Sequence, residues 1–292
     1  RSTLFPYTTL FRSEPFALRA NDVPTYVFPE TAVTALEAMT RFARLEDRSY
    51  DDVIEKVSDV DKKAVRAIFD KVTSAGRDTL LGSEAYAVAE AYGISAAPIR
   101  LSKSAEEAAE LAEEMEFPVV LKIASDKILH KSDIGGVKVG ITNSNEAKKA
   151  YNEIIANAKK AHPDIIPDGV EVQKMMDSGE EVIVGMIKDK QFGPMIAFGM
   201  GGIYVNLIED VSFNLARGLS SEEIEKQIES TKVSKLLEGY RGEAPCDIDE
   251  VKEAIKRVAR LTLDFPEISE LDINPIFVYE KGSSALDIKI KL

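Results

Sequence analysis

Between residues 169 and 200 three β-prone runs, "GVEVQKMM", "EEVIVGMIKD" and "GPMIAFGM", follow one another with only Asp177-Ser178-Gly179 and Asp189 to Gly193 between them. Links this short suit hairpins, whereas parallel neighbours need a long crossover, so the three runs are expected to be antiparallel neighbours. Helical patterns flank them. "AVRAIFDKVTSAG" and "GSEAYAVAEAYG" read as helices, the second stopping at Gly93, a residue that tolerates the left-handed terminal conformation. "SAEEAAELAEEM" places Ser104 and Glu107 at capping-box spacing and lines up Ala105, Ala108, Leu111, Ala112 and Met115 on one face. Pro118 introduces the strand "VVLKI", "GGVKVGI" follows as another, and a helix over 146–160 has Asn143 as its cap. Helices over 221–230 and 249–263 precede a closing hairpin, "LDINPIFVYEKGSSALDIKI", with Gly282 in its turn. The pattern implies an α+β chain of two lobes, about 96–170 and 171–292, dividing near 165–172.

The first residues do not share this regularity. "RSTLFPYTTLFRS" repeats Thr-Leu-Phe, has no acidic residue and reads as a sequence artefact over 1–13, outside the fold. Residues 14–65 hold one extended segment, "VPTYVFPE", one helix with Pro29 near its start, and an acidic connector. So little structure cannot cover both faces of a sheet, and the segment reads as the end of a larger unit. The 292 residues carry 37 Lys+Arg against 50 Asp+Glu, a formal charge of −13, which argues against nucleic acid or an anionic membrane as partner. A local phosphate site stays open. Cys246 is the only cysteine, so a disulfide within the chain and a multi-cysteine metal centre are excluded. No apolar run approaches a membrane span, and a cytoplasmic protein is the expectation.

The densest chemistry lies in "VVLKIASDKILHKSDIGGVKVG", residues 119–140. A lysine inside an apolar strand is costly unless its amine reaches water or an anion, so Lys122 is a candidate phosphate ligand, or else a lysine whose amine simply reaches solvent. After it, His130, Lys131 and Ser132 bring an imidazole, an ammonium and a hydroxyl, and Gly135 and Gly136 would let backbone N–H groups approach phosphate oxygens. The order of residues is neither a Walker A loop nor a G-x-G-x-x-G fingerprint. The other histidine, His162, sits past a helix end and reads as a surface residue. Asp272 and Asn274 in "ELDINP" and Asp287 in "ALDIKI" would meet across the closing hairpin as hard oxygen ligands for Mg2+ shared with phosphates, although Asx residues also make turns. Gly199, Gly201 and Gly202 in "FGMGGIYVN" allow close approach to a ligand or tight strand packing. Backbone groups of "GVEVQKMM" could meet an adenine edge, with Met175 or Met176 as packing.

Taken in order, "LLGSEAYAVAEAYGI", "FPVVLKIASDKILHKSDIGGVKVG", "EVIVGMIKDKQFGPMIAFGMGGIYV" with "DVSF", "LLEGYRGE" and "FPEISELDINPIFVY" with "ALD" resemble the ATP-grasp subunit of ADP-forming acyl-CoA synthetases, the acetate–CoA ligase (ADP-forming) family. The resemblance covers about 66–292 and implies an ATP-grasp fold. Residues from about 15 to 60 resemble the end of the CoA-ligase unit that precedes it in fused members. The resemblance implies the reaction acyl-CoA + ADP + phosphate ⇌ carboxylic acid + CoA + ATP, run through an acyl phosphate and phosphohistidine. It implies that His130 exchanges phosphate with ADP, that Lys122 binds nucleotide phosphate, and that Asn274 and Asp287 hold Mg2+ with Asp272 beside them. It makes Glu171, Val172, Gln173 and Lys174 the adenine-side linker between the lobes. It also implies a CoA-ligase (alpha-type) partner carrying the CoA site. Asn206 stands where many relatives have glutamate, and Asn214 and Arg217 depart from the usual pattern; a catalytically silent ATP-binding regulatory module is the alternative.

Overall fold

A computed structural model describes residues 24–26, 28–46, 54–128, 131–202, 210–240 and 242–292. His130 and Asn206 therefore lie outside the described residues. The chain separates into two units, 1–50 and 51–292. In the first, Pro29 opens helix α1 (Pro29–Glu46), and Val33, Leu36, Met39 and Phe42 on it are exposed. The described residues of "VPTYVFPE" preceding it form no strand.

The second unit starts earlier than the regular pattern suggests. Ile54 and Val57 of the acidic connector are buried, and Ile54 joins one core with Val65, Phe69 and Val72 of α2 (Lys62–Ser74). The Asp61 carboxylate caps α2, accepting from the N–H groups of Lys63 and Ala64 at 3.0 Å each. The next helix, α3 (Gly82–Ala91), is fixed at its start by Glu84, which accepts from the Leu81 N–H at 3.0 Å and takes a two-pronged grip from Arg77 at 2.8 Å per contact.

A four-stranded antiparallel sheet follows, built from β1 (Ile99–Ser102), β2 (Val119–Ala124), β3 (Val137–Ile141) and β4 (Gly169–Lys174) in the order β1-β4-β2-β3. Helices α4 (Ala105–Glu114) and α5 (Ser144–Ala161) cover one face, capped by Ser104 and Asn143 as their sequence signals predict. Their alanines (Ala108, Ala112, Ala147 and Ala150) pack close against Leu121, Ile123, Val170 and Val172.

The larger sheet holds β5 (Glu180–Asp189), β6 (Gly193–Met200), β7 (Val211–Leu215), β8 (Glu270–Val278), β9 (Ser283–Ala285) and β10 (Ile288–Lys291), ordered β10-β8-β5-β6-β7 with β9 on β8. Between β7 and β8 come α6 (Ser221–Glu229), the short α7 (Ser234–Leu237) and α8 (Ile248–Asp264), whose Val251, Ile255, Val258 and Ala259 share a core with Val184, Ile196, Phe198, Ile273 and the buried faces of α2 and α3. Asn214 on β7 donates to the Glu223 carbonyl at 3.0 Å and to Gln227 Oε1 at 3.2 Å, which joins that edge strand to α6.

Two expectations need correction. β4 does not pair with β5: it enters the small sheet between β1 and β2, and the Asp177-Ser178-Gly179 turn carries the chain across to the other sheet. Short spacing cannot distinguish a hairpin from such a crossing. The small lobe accordingly runs through Lys174, beyond the expected 170/171 division, and α2 and α3 belong with the large core. The closing hairpin forms as read, with Gly282 at φ +79°. Among the described residues no helix is long and apolar enough to cross a membrane.

Candidate functional site

Strand alternation divides the small sheet into two chemically different faces. Leu121, Ile123, Val170 and Val172 point into the helix-covered core, so Lys122, Glu171 and Gln173 share the opposite face. Lys122 and Glu171 are direct partners in the β2–β4 register. Both Lys122 Nζ and Gln173 Nε2 donate to one acceptor on the large sheet's side, the Leu286 carbonyl, at 3.2 and 2.8 Å. Burial holds the Lys122 ammonium below the usual lysine range, while Asp287 and Glu171 pull it back up and Lys131 pushes it down. The Lys122 ammonium, partly withdrawn from water, thus lies where the two sheets meet.

The loop after β2 closes on itself. The Lys131 carbonyl accepts from the Gly136 N–H at 2.8 Å, the Ser132 carbonyl from the Gly135 N–H at 3.0 Å, and the Gly136 carbonyl from the Ile123 N–H at 2.8 Å. A Cβ at Gly136 would stand 2.7 Å from the Lys131 carbonyl oxygen and 2.9 Å from Ile123 Cγ2. The glycines therefore make the turn tight, and their N–H groups are spent inside it, contrary to the expectation that they face phosphate. What the loop offers the cleft is the Lys131 ammonium, whose Nζ lies 3.7 Å from Glu171 Oε2, and beside it the exposed Ser132.

The adenine-side reading of Glu171, Val172, Gln173 and Lys174 also changes. β4 is flanked on both sides, so its ladder consumes the backbone groups of Glu171 to Gln173. The N–H groups of Lys174 and Met175 donate to the carbonyls of Pro98 and Pro118 at 2.9 and 3.2 Å. Glu171 is fully buried rather than placed in a linker, and its Oε1 accepts from the Ser83 N–H of α3 at 2.6 Å. Nothing in the local sequence marks this contact, because Ser83 lies 88 residues away.

On the large sheet's side, Asn274 and Asp287 are neighbours, as the hairpin reading expects of their backbones. The Asn274 N–H donates to the Asp287 carbonyl at 3.1 Å, which sets the two residues side by side. A register shift in the β5–β8 ladder between Val182 and Val184 falls opposite Asn274 and Pro275, and such irregularities re-aim side chains. Asn274 Oδ1 accepts from the Gly202 N–H at 2.9 Å and keeps a second lone pair. Gly202 itself is forced: at φ +73° its Cβ would stand 1.7 Å from Glu181 Oε2. The Asp287 carboxylate is exposed. Asp272 is half-buried, and burial raises its carboxyl above the usual range, with Lys289 opposing that shift and Asp287 and Glu270 adding to it. Among the described residues no group of three or more His, Cys, Asp or Glu side chains forms a metal cage. The donor set nonetheless fits a hard cation shared with phosphates, since an amide oxygen and an exposed carboxylate are hard ligands too few to hold it alone. His162 ends α5 as its cap residue, its N–H donating to the Ala158 carbonyl at 2.8 Å.

Residues 71–292 match the ATP-grasp domain profile. The chain belongs to the ATP-grasp family. Its likeness extends to the beta subunit of acetate–CoA ligase (ADP-forming) I from Pyrococcus furiosus, 42% identical over 227 residues, 78% of this chain and 97% of that subunit. Acetate–CoA ligase (ADP-forming) I from Archaeoglobus fulgidus is 40% identical over 277 residues, 94% of this chain and 40% of the relative, so the chain spans about two fifths of that longer protein. Among solved structures, dinucleotide forming acetyl-coenzyme A synthetase 1 of Ca. Korarchaeum cryptofilum, in complex with coenzyme A and Ca-AMPCP, is 44% identical with a TM-score of 0.75, covering 78% of this chain and 99% of that one. A second state of that protein, with coenzyme A and Mg-AMPPCP and a phosphohistidine segment pointing towards the nucleotide site, gives 42% identity, a TM-score of 0.69 and the same coverage. The ATP-grasp domain here is thus homologous to the beta subunits of ADP-forming acetate–CoA ligases, and its two sheets are the two ATP-grasp lobes.

Proposed function

We propose that residues from about 66 to 292 bind ADP or ATP with Mg2+ in the cleft between the two sheets and pass a phosphoryl group reversibly between the nucleotide and His130. The reaction served is acyl-CoA + ADP + phosphate ⇌ carboxylic acid + CoA + ATP. The observation that carries this reading is the meeting at Leu286 and Asp287, where Lys122 and Gln173 of one sheet reach the carbonyl just before the carboxylate that stands beside Asn274.

Lys122 would exchange its neutral carbonyl partner for an anionic phosphate oxygen, a stronger acceptor for a desolvated ammonium. Lys131 and Ser132 would supply further donors, with Gly135 and Gly136 keeping their loop compact. Asn274 and Asp287 would hold Mg2+ with Asp272 behind them, and the bound ion would offset phosphate charge. The neutral imidazole of His130 would attack the γ-phosphorus, forming the N–P bond as the bond to the ADP oxygen breaks; ADP attack reverses the step. Adenine recognition moves past β4, toward Met175 and Met176, because the backbone of 171–174 is already paired.

The CoA site and the acid, CoA and phosphate chemistry would come from a CoA-ligase (alpha-type) subunit or domain. Residues 14–65 fit the tail of such a unit. The match to the longer Archaeoglobus relative covers 94% of this chain and so takes in α1, whereas the match to the Pyrococcus beta subunit covers 78% of it. Calorimetric titration with ADP and AMP in the presence of Mg2+ tests the nucleotide reading. ADP should bind more tightly than AMP, and Lys122→Ala should lose about 1.5–3 kcal/mol of ADP binding while leaving AMP unchanged. Unaltered ADP affinity in the variant would remove Lys122 from the site.

A further inference from the structure

The buried acid between the two lysines has no part in the reading above. Glu171 has a side chain only 1% exposed, and its two oxygens face different elements. Oε1 accepts from the Ser83 N–H in the first turn of α3, an N–H with no partner inside its own helix. Oε2 has no hydrogen-bond partner and lies 3.7 Å from Lys131 Nζ, within ion-pair reach but outside hydrogen-bond reach. A charge at this depth is costly unless paired, so the ammonium is held there by a strong incentive. The first turn of α3 is shaped around the same carboxylate: a Cβ at Gly82 would stand 2.8 Å from Oε2 and 3.1 Å from Oε1. Glu171 also sits in register opposite Lys122.

We propose that Glu171 is a positioning residue for the phosphate-binding lysines: anchored by the N-terminus of α3, its carboxylate holds the Lys131 ammonium beside Lys122 before nucleotide arrives. This rests on the reading of Lys122 and Lys131 as phosphate ligands. Two like charges brought together in a desolvated cleft repel, and an acid fixed between them offsets that repulsion without occupying the cleft itself. A free Lys131 would lose side-chain entropy on meeting phosphate that a held Lys131 has already lost.

The test is a double-mutant cycle on the intact chain, read by ADP titration with AMP as control. Glu171→Gln keeps an oxygen for the Ser83 N–H but removes the charge, and should weaken ADP about tenfold, leave AMP unchanged and move the melting temperature by no more than about 4 °C. In a Lys131→Ala background the same change should have almost no further effect on ADP. Gly82→Ala, which presses a methyl against the carboxylate without altering its charge, is the second variant and should weaken ADP in the same direction. Full additivity of Glu171→Gln and Lys131→Ala, or wild-type ADP affinity in both Glu171→Gln and Gly82→Ala, would overturn the proposal while leaving the phosphate site standing. Wild-type ADP affinity in Lys131→Ala would instead remove Lys131 from that site, and Glu171's role with it.

Discussion

Across the cleft the two sheets differ in the sign of what they carry. The small sheet and the loop after β2 bring Lys122 and Lys131, both half-buried, with Glu171 fully buried beside them. The large sheet brings Asp272, Asn274 and Asp287, of which Asp287 is exposed. Half-buried cations gather around a buried acid on one side, and Asp287 stands open on the other. Such a division suits a ligand that carries its own charge and its own metal, because each wall alone lacks half of the complement that a phosphate–Mg2+ pair needs. The lobes differ in their cores as well. The small lobe relies on alanine-faced helices over a few β residues, whereas the large lobe adds α2, α3 and α8 to a six-stranded sheet.

The largest expected effect breaks that second contrast. Leu121 is fully buried, and Leu121→Ala should cost about 3 kcal/mol of stability by opening a cavity in the thinner core. Hydrogen exchange should then report early opening of β1–β4 with β5–β8 still protected; simultaneous opening of both sheets would show that the lobes form one cooperative unit. A smaller effect separates the two exposed-side acids. Asp287→Asn should raise the Mg2+ concentration needed for half-maximal nucleotide binding by about tenfold, and Asp272→Asn by less, since Asp272 is already discouraged from ionising by its burial. Equal effects would place Asp272 on the ion beside Asp287.

The smallest effect concerns stability and pH. Folding disfavours charged Lys122, so the unfolded chain binds its proton more readily than the folded chain. Lys122→Met should therefore melt above the wild type at neutral pH, and the gap should narrow as pH rises through the lowered folded value toward the ordinary lysine value of 10.5. A gap that widens with pH would mean that the ammonium is stabilised where it sits.

Much of the architecture was readable locally. The Ser104 and Asn143 caps, the stop at Gly93 and the Gly282 hairpin follow from residues a few positions apart, and the pairing of Asn274 with Asp287 follows from that hairpin. The placement of β4 is not readable, because its distance to β5 along the chain says nothing about which sheet it joins. The sequence marks Gly135 and Gly136 as points of close backbone approach, but only the fold shows that their turn absorbs its own N–H groups. The resemblance makes Glu171 part of a linker, and no local signal corrects it: its partners, Ser83 and Lys131, come from other segments, and a single glutamate in a strand carries no local mark of burial.

Phosphoryl transfer from ATP to His130 is the step on which the proposed function stands. The most direct measurement is incubation of the purified chain with γ-32P-labelled ATP and Mg2+, followed by mapping of acid-labile label and a chase with ADP. One labelled histidine, His130, is expected, formed only with Mg2+, discharged by ADP and absent in His130→Asn. Label that persists in His130→Asn, or a chain that binds ATP and Mg2+ yet never becomes labelled, would contradict it.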